Sequence, residues 1–220
     1  MKLENRKEIG IMKRSVTIII LMVIIWFAFS SSAYAWLYYS KPEFRGSVID
    51  AQTKQPIEGA VVVVLYYKYE FNWPGGGSSV PMNAKETLTD NKGEFYFPPY
   101  KTMISPLSGG SYADFIIFKP GYKAIDNLNG LPINISCEKY FAIEKDMIGK
   151  EGEVKYVERD TLYSYKGPLG LVELEKALTR KERLDTMPSP PTNYTSKEVP
   201  ILIKILNEED KNLGLKGEYK

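Results

Sequence analysis

Residues 86–97 read ETLTDNKGEFYF. Apolar and polar positions alternate on either side of Asp90-Asn91-Lys92-Gly93. Two short strands, Thr87–Asp90 and Glu94–Phe97, are therefore expected to fold back on each other. Asp and Asn favour such a turn because their short side chains bond to nearby backbone. Gly93 can take the left-handed conformation that closes a type I turn with a bulge. Asp90 and Gly93 are thus turn residues in this reading, not ligands. Phe95 and Phe97 fall on one face of the second strand.

Working back along the chain, Phe44–Asp50 (FRGSVID) reads as the first strand, and Pro56 and Gly59 mark the turn after it. Ala60–Phe71 is the strongest strand. Its odd positions, Val61, Val63, Leu65, Tyr67, Tyr69 and Phe71, are all apolar and are assigned to the core. Its even positions run Val62, Val64, Tyr66, Lys68, Glu70, and this polar drift is expected to bring their far end to water. Asn72–Lys85, with Pro74, three glycines and Pro81, is expected to be a long loop.

Working forward, Pro98–Ser111 is a second expected loop, leading into a strand at Asp114–Lys119. Pro120-Gly121 then turns the chain before Tyr122. Further strands are expected around Tyr140–Glu144, Glu153–Val157 and Gly170–Ala177. Short strands joined by turns indicate a mainly β chain, folded as an antiparallel β-sandwich. A short α-helical C-terminal extension follows. Thr179-Arg180-Lys181-Glu182 has the capping-box pattern and starts a helix to about Met187. Pro188, Pro190 and Pro191 form a linker. A last helix begins near Pro200, with Ile201, Leu202, Ile205 and Leu206 on one face and Gly214 as its C-cap.

The chain has 220 residues and a formal charge of +2. Residues 1–35 hold five of the 29 basic and two of the 27 acidic side chains, leaving 24 and 25 in the remainder. A near-neutral body lacks the electrostatic footprint of a nucleic-acid binder. The basic excess precedes the uncharged run VTIIILMVIIWFAF (16–29), and Ala33-Tyr34-Ala35 follows. That order is the sequence pattern of a signal peptide spanning 1–35, with cleavage before Trp36. The alternative is an uncleaved anchor over 15–40, in which case the protein would be held at a membrane. Either way the body is expected outside the cytoplasm. The single cysteine, Cys137, has no partner for an internal disulfide and is read as a small buried hydrophobe.

Three segments, RGSVIDAQTKQPIEGAVVVV (45–64), ETLTDNKGEFYF (86–97) and ADFIIFKPGYK (113–123), together resemble the carboxypeptidase regulatory-like domain, a prealbumin-like β-sandwich. The resemblance rests on Gly46-Ser47-Val48, on Pro56-Ile57-Glu58-Gly59-Ala60, on Thr89-Asp90 with Gly93 and Phe95, and on Pro120-Gly121-Tyr122. It implies a sandwich over about 43–125, which strands extend to about 177, and a helical extension over 178–220. Under this resemblance Asp90, Gly93, Pro120 and Gly121 are structural turn residues. It implies a fold and no activity.

The chain contains no histidine. Zinc sites of the H-E-x-x-H kind, Ser-His-Asp triads and Cys-His pairs are therefore impossible in it. Gly75-Gly76-Gly77 lacks the Lys-Ser/Thr ending of a phosphate-binding loop. No cofactor, metal or enzymatic activity is expected. Carboxylate pairs, such as Asp50 or Glu58 with Asp114, leave a hydrolase as a remote alternative. Tyr66 and Trp73 are the rings placed to meet a ligand. The expected function is an exported, non-catalytic structural or protein-interaction module of the cell envelope. The alternative is a carbohydrate-binding module, so the partner is an envelope protein or a glycan.

Overall fold

A computed structural model describes residues 19–24, 38–72, 75–105, 108–126, 140–142, 151–158, 161–191, 197–217 and 219. The chain divides into two units, Met1–Ser40 with Lys101–Pro106, and Lys41–Tyr100 with Leu107–Lys220. Residues 19–24 are helical, and β1 (Tyr38–Lys41) pairs with β6 (Tyr100–Met103). No helix among the described residues is long and apolar enough to cross a membrane. Most of the expected signal segment, the cleavage site at Ala35-Trp36, Trp73 and Cys137 lie outside the described residues.

The second unit is a β-sandwich. One layer holds β2 (Phe44–Asp50) between β5 (Glu94–Phe97) and β11 (Leu171–Leu174). The other has β3 (Val61–Asn72) flanked by β4 (Gly76–Leu88) and β7 (Ser108–Phe118), with β8 (Ile125–Asp126) outside β7. β9 (Glu151–Glu158) and β10 (Thr161–Pro168) form a separate antiparallel pair. All these pairings are antiparallel except β2 with β11, which is parallel.

The helices α1 (Arg180–Asp185) and α2 (Pro200–Asn212) complete the unit. The capping box at α1 is present, with Thr179 Oγ1 accepting from Glu182 N at 3.1 Å and the Glu182 carboxylate accepting from Thr179 N at 3.0 Å. Pro200 opens α2, and Gly214, at φ +78°, follows its end.

Several expectations need correction. Residues 76–88 form a strand, not a loop. Gly and Pro exclude a helix there, but β4 is an edge strand, where the missing N–H of Pro81 costs no ladder bond. Met82 is bulged out where the register shifts opposite Tyr66/Tyr67. Within the second expected loop, 100–103 form β6 and β7 begins at Ser108. Tyr140 and Phe141 are helical rather than extended. The two arms of the opening stretch do not pair as a hairpin. β4 stays in the layer of β3 while β5 joins β2, so Asp90–Gly93 carries the chain between layers.

Both faces of β3 are covered over its first half. Val62, Val64 and Tyr66 are buried in the interlayer core with Phe44, Phe115 and Phe97. There Phe44 and Phe115 meet edge to face at 5.2 Å, and Phe115 meets Phe141 at 4.6 Å. On the opposite face Val61, Val63, Leu65, Ala84, Ile116 and Phe118 pack against Val199, Leu202, Ile203 and Leu206 of the α2 segment. The helix thus docks on its own domain through Leu202, Ile203 and Leu206, with Ile201 and Ile205 at the margin. The described residues of α2 therefore belong to the core of the second unit.

Glu86 joins the helix to the sheet. Val199 provides no side-chain cap for α2. Instead the Glu86 carboxylate, reaching across from β4, accepts from Ile201 N at 2.6 Å and Leu202 N at 2.9 Å. Two N–H groups that the helix cannot satisfy internally are thus capped by a charge suited to the positive end of the helix dipole.

Candidate functional site

The residues singled out at the turns bond to one another. Asp90 Oδ1 accepts from Lys92 N and Glu94 N, each at 2.9 Å. Gly93 sits at φ +72°, and a Cβ there would strike the carbonyl of Val48. Thr89 is buried; its hydroxyl donates to Ile57 O at 2.7 Å and accepts from Ala60 N at 2.9 Å. Pro120-Gly121 turns the chain, with Gly121 at φ +85° and Tyr122 N bonded to Lys119 O at 3.0 Å. The turn presents Tyr122, whose hydroxyl donates to Asp50 Oδ2 at 3.1 Å.

Asp50 is likewise committed to the scaffold. Hydrogen bonds from the Thr53 and Gln52 amides and from Tyr122 hold its carboxyl well below the usual range, overcoming the opposing effect of burial. Lys119 caps the carbonyls of Glu58 and Gly59. Asp114 feels the charge of Asp126, not that of Asp50 or Glu58.

Tyr66 is not a ligand-facing ring. It is 0% exposed, packed 4.4 Å from the Tyr100 ring. The polar drift of Lys68 and Glu70 suggested that the even face was open, but the second layer covers that face at Tyr66. Its hydroxyl is buried without a hydrogen-bond partner among the described residues, and burial pushes its pKa up.

The open rings lie on the other face, in the odd row that the sequence assigned wholly to core. Exposure rises along the row from 0% at Val61 and Val63 to 36% at Tyr69 and 66% at Phe71. The reason is length. A 13-residue helix spans about 20 Å, whereas a 12-residue strand spans about 40 Å. The cluster containing α2 accordingly stops at Leu65, with Tyr67 at its margin.

Glycines shape this open end. Gly110, at φ +62°, falls where the register between β3 and β7 shifts beside Lys68/Tyr69. The Tyr69 ring occupies the space a Cβ at Gly77 would need, and the Phe71 ring crowds Gly109 at 2.9 Å. The two rings therefore lie over neighbouring strands, 5.5 Å apart and nearly perpendicular. Tyr67 pairs across the ladder with Tyr112, their rings stacked at 4.9 Å and 9°. Tyr112 is 37% exposed.

Asp114 and Asp126 share this face. Asp114 is opposite Leu65 and Asp126 opposite Ile116, and directly paired residues project to the same side. Burial, and for Asp114 also the charge of Asp126, raises both carboxyl pKa values. Burial and the charges of Asp114, Tyr112 and Asp126 raise that of Tyr67. Among the described residues no group of three or more Cys, Asp or Glu side chains is arranged to hold a metal ion.

An open groove of about 270 Å³ lies elsewhere, lined by Arg45, Thr87, Asp90, Glu94 and Tyr96 among others. Arg45 stacks over Tyr96 at 4.6 Å and pairs with Glu43 at 3.2 Å, while Asp90 holds its own turn. Arg45, Tyr96 and Asp90 are thus already engaged there.

No family model matches the chain, and no curated protein matches it. Among solved structures it is similar to 3-chlorocatechol 1,2-dioxygenase from Rhodococcus opacus 1CP at 14% identity and a TM-score of 0.29. The match covers 63% of this chain and 60% of that one. A similarity at that level does not bear on the chemistry of this protein.

Proposed function

We propose that this chain is an exported, non-catalytic β-sandwich that acts as a protein-interaction module of the cell envelope. Its docking face is the open end of the β3 row, formed by Tyr67, Tyr69, Phe71 and Tyr112. The observation that carries this reading is the split of one apolar row into a half covered by α2 and a half left in solvent. Aromatic rings held on a sheet suit recognition because they offer large contact areas with little entropy to lose. The N-terminal charge order supports export, and the absence of histidine supports a binding role. The motifs at 45–64, 86–97 and 113–123 support placement with the carboxypeptidase regulatory-like domains.

A photo-crosslinking residue placed at position 71, with position 54 as a distant control, tests the reading in the intact chain expressed in cells. One recurrent envelope protein, identified by mass spectrometry and captured from position 71 alone, is the expected result. Equal capture from both positions would remove the docking face.

The exposed Tyr69 and Phe71 rings also favour a second reading, stacking on a sugar. Retardation in a polysaccharide affinity gel, lost in Phe71→Ser with the melting temperature unchanged, would move the assignment to a carbohydrate-binding module.

A further inference from the structure

We infer that the inner end of the docking face, where Asp114 and Asp126 lie beside the Tyr67–Tyr112 stack, receives a cationic side chain of the docked partner. This rests on the reading of the open row as a docking face, and it names the chemistry of the occupant. The two carboxylates are half-buried on a face whose other side chains are mostly apolar or aromatic, and its third acid, Glu86, is taken up in capping α2. Among the described residues no hydrogen bond or ion pair reaches either of them, whereas Glu173, Glu175 and Glu209 are each paired with a cation. Glu209, for example, is 1% exposed and accepts from Nε and Nη2 of Arg183, each at 2.7 Å.

Two neighbouring carboxylates withdrawn from water repel one another and lose hydration, and a cation from outside relieves both penalties. The adjoining rings select its type. A guanidinium or ammonium group can lie against an aromatic face while bonding to a carboxylate. A calcium cage instead takes six to eight oxygen ligands, and among the described residues no group of three or more acids is arranged to supply them. Charge complementarity therefore favours an arginine- or lysine-bearing segment as the occupant. Its stem would run outward over Tyr69 and Phe71.

The test uses the full chain and four probes, namely a hexa-arginine peptide, a hexa-lysine peptide, a hexa-glutamate peptide and calcium chloride, each titrated by calorimetry. Asp114→Asn and Asp126→Asn keep the shape of the site and remove its charge, so the fold is expected to survive. Glu43→Gln with Glu94→Gln is the control for general electrostatic attraction. Binding of the basic peptides, weakened at least tenfold by the two Asp substitutions and less than twofold by the control pair, is the expected result. Hexa-glutamate should not bind. Absence of binding by both basic peptides, or equal losses in the two double variants, would overturn the inference. So would calcium binding that displaces the peptides. Failure here is distinguishable from failure of the docking face. If the crosslink from position 71 forms unchanged in the Asp variants, the face stands and the cation does not.

Discussion

Removing the Glu86 carboxylate tests how the C-terminal helix is fixed to the sheet. In Glu86→Ala the amides of Ile201 and Leu202 lose their acceptor, and the helix loses a negative charge at its start. Loss of an N-cap costs about 1 kcal/mol, and the charge–dipole contribution at a partly buried site adds about 1 kcal/mol. A total near 2 kcal/mol follows, because Val199 offers no side chain to take over. For a domain of this size each kcal/mol lowers the melting temperature by about 2–4 °C, so a fall of about 4–8 °C is expected. Glu86→Gln loses the charge and one of the two acceptor oxygens and should lose about three quarters as much, about 1.5 kcal/mol. Thermal and urea denaturation of the three proteins measure this directly. A loss below about 0.5 kcal/mol in Glu86→Ala, within the range of ordinary surface substitutions, would refute the cap. Equal losses in Ala and Gln would show that the charge matters and the hydrogen-bond geometry does not.

Thr89→Val preserves shape but strands the carbonyl of Ile57 and the amide of Ala60 in a buried site; a loss of about 2–4 kcal/mol is expected by urea denaturation. Gly93→Ala adds both left-handed backbone strain and a clash with Val48 O, so it should cost more than 1 kcal/mol, whereas Gly75→Ala, with open space around it, should be nearly neutral. Raised carboxyl pKa values in the fold mean that Asp114 and Asp126 hold protons above their ordinary 3.8. Their penalty is therefore absent at pH below that value and grows as pH rises through the folded pKa. The melting-temperature gain of Asp114→Asn with Asp126→Asn over the parent should be larger at pH 7 than at pH 4.

Local chemistry was the part of the structure most legible in the sequence. The turn at Asp90–Gly93, the capping box at Thr179 and the start of α2 at Pro200 each follow from residues within a few positions of one another. The strand over 61–72 follows from its period of two. Pairing was less legible, because it depends on residues distant in sequence. Glycine and proline at 74–81 argue against helix, but nothing local reveals that β3 offers them a neighbour to pair with. The parallel entry of β11 beside β2 is likewise a property of the assembled layers.

Tyr66 was misplaced for a related reason. Alternation identifies two faces of β3 but does not say where each is covered. The even face goes under the other layer, burying Tyr66, and the odd face runs past the end of the helical cover, exposing Phe71. One signal was present in the sequence. An apolar row of six positions is longer than the four-residue apolar stripe of the final helix can cover.

Hydroxyl-radical footprinting of the intact chain, with modification read residue by residue by mass spectrometry, tests the division of β3 most directly. Phe71, Tyr69 and Tyr112 are expected to be modified rapidly, while Tyr66, Phe44 and Phe115 remain protected until the protein unfolds. Protection of Phe71 in the monomeric chain equal to that of Tyr66 would contradict the division, and with it the docking face.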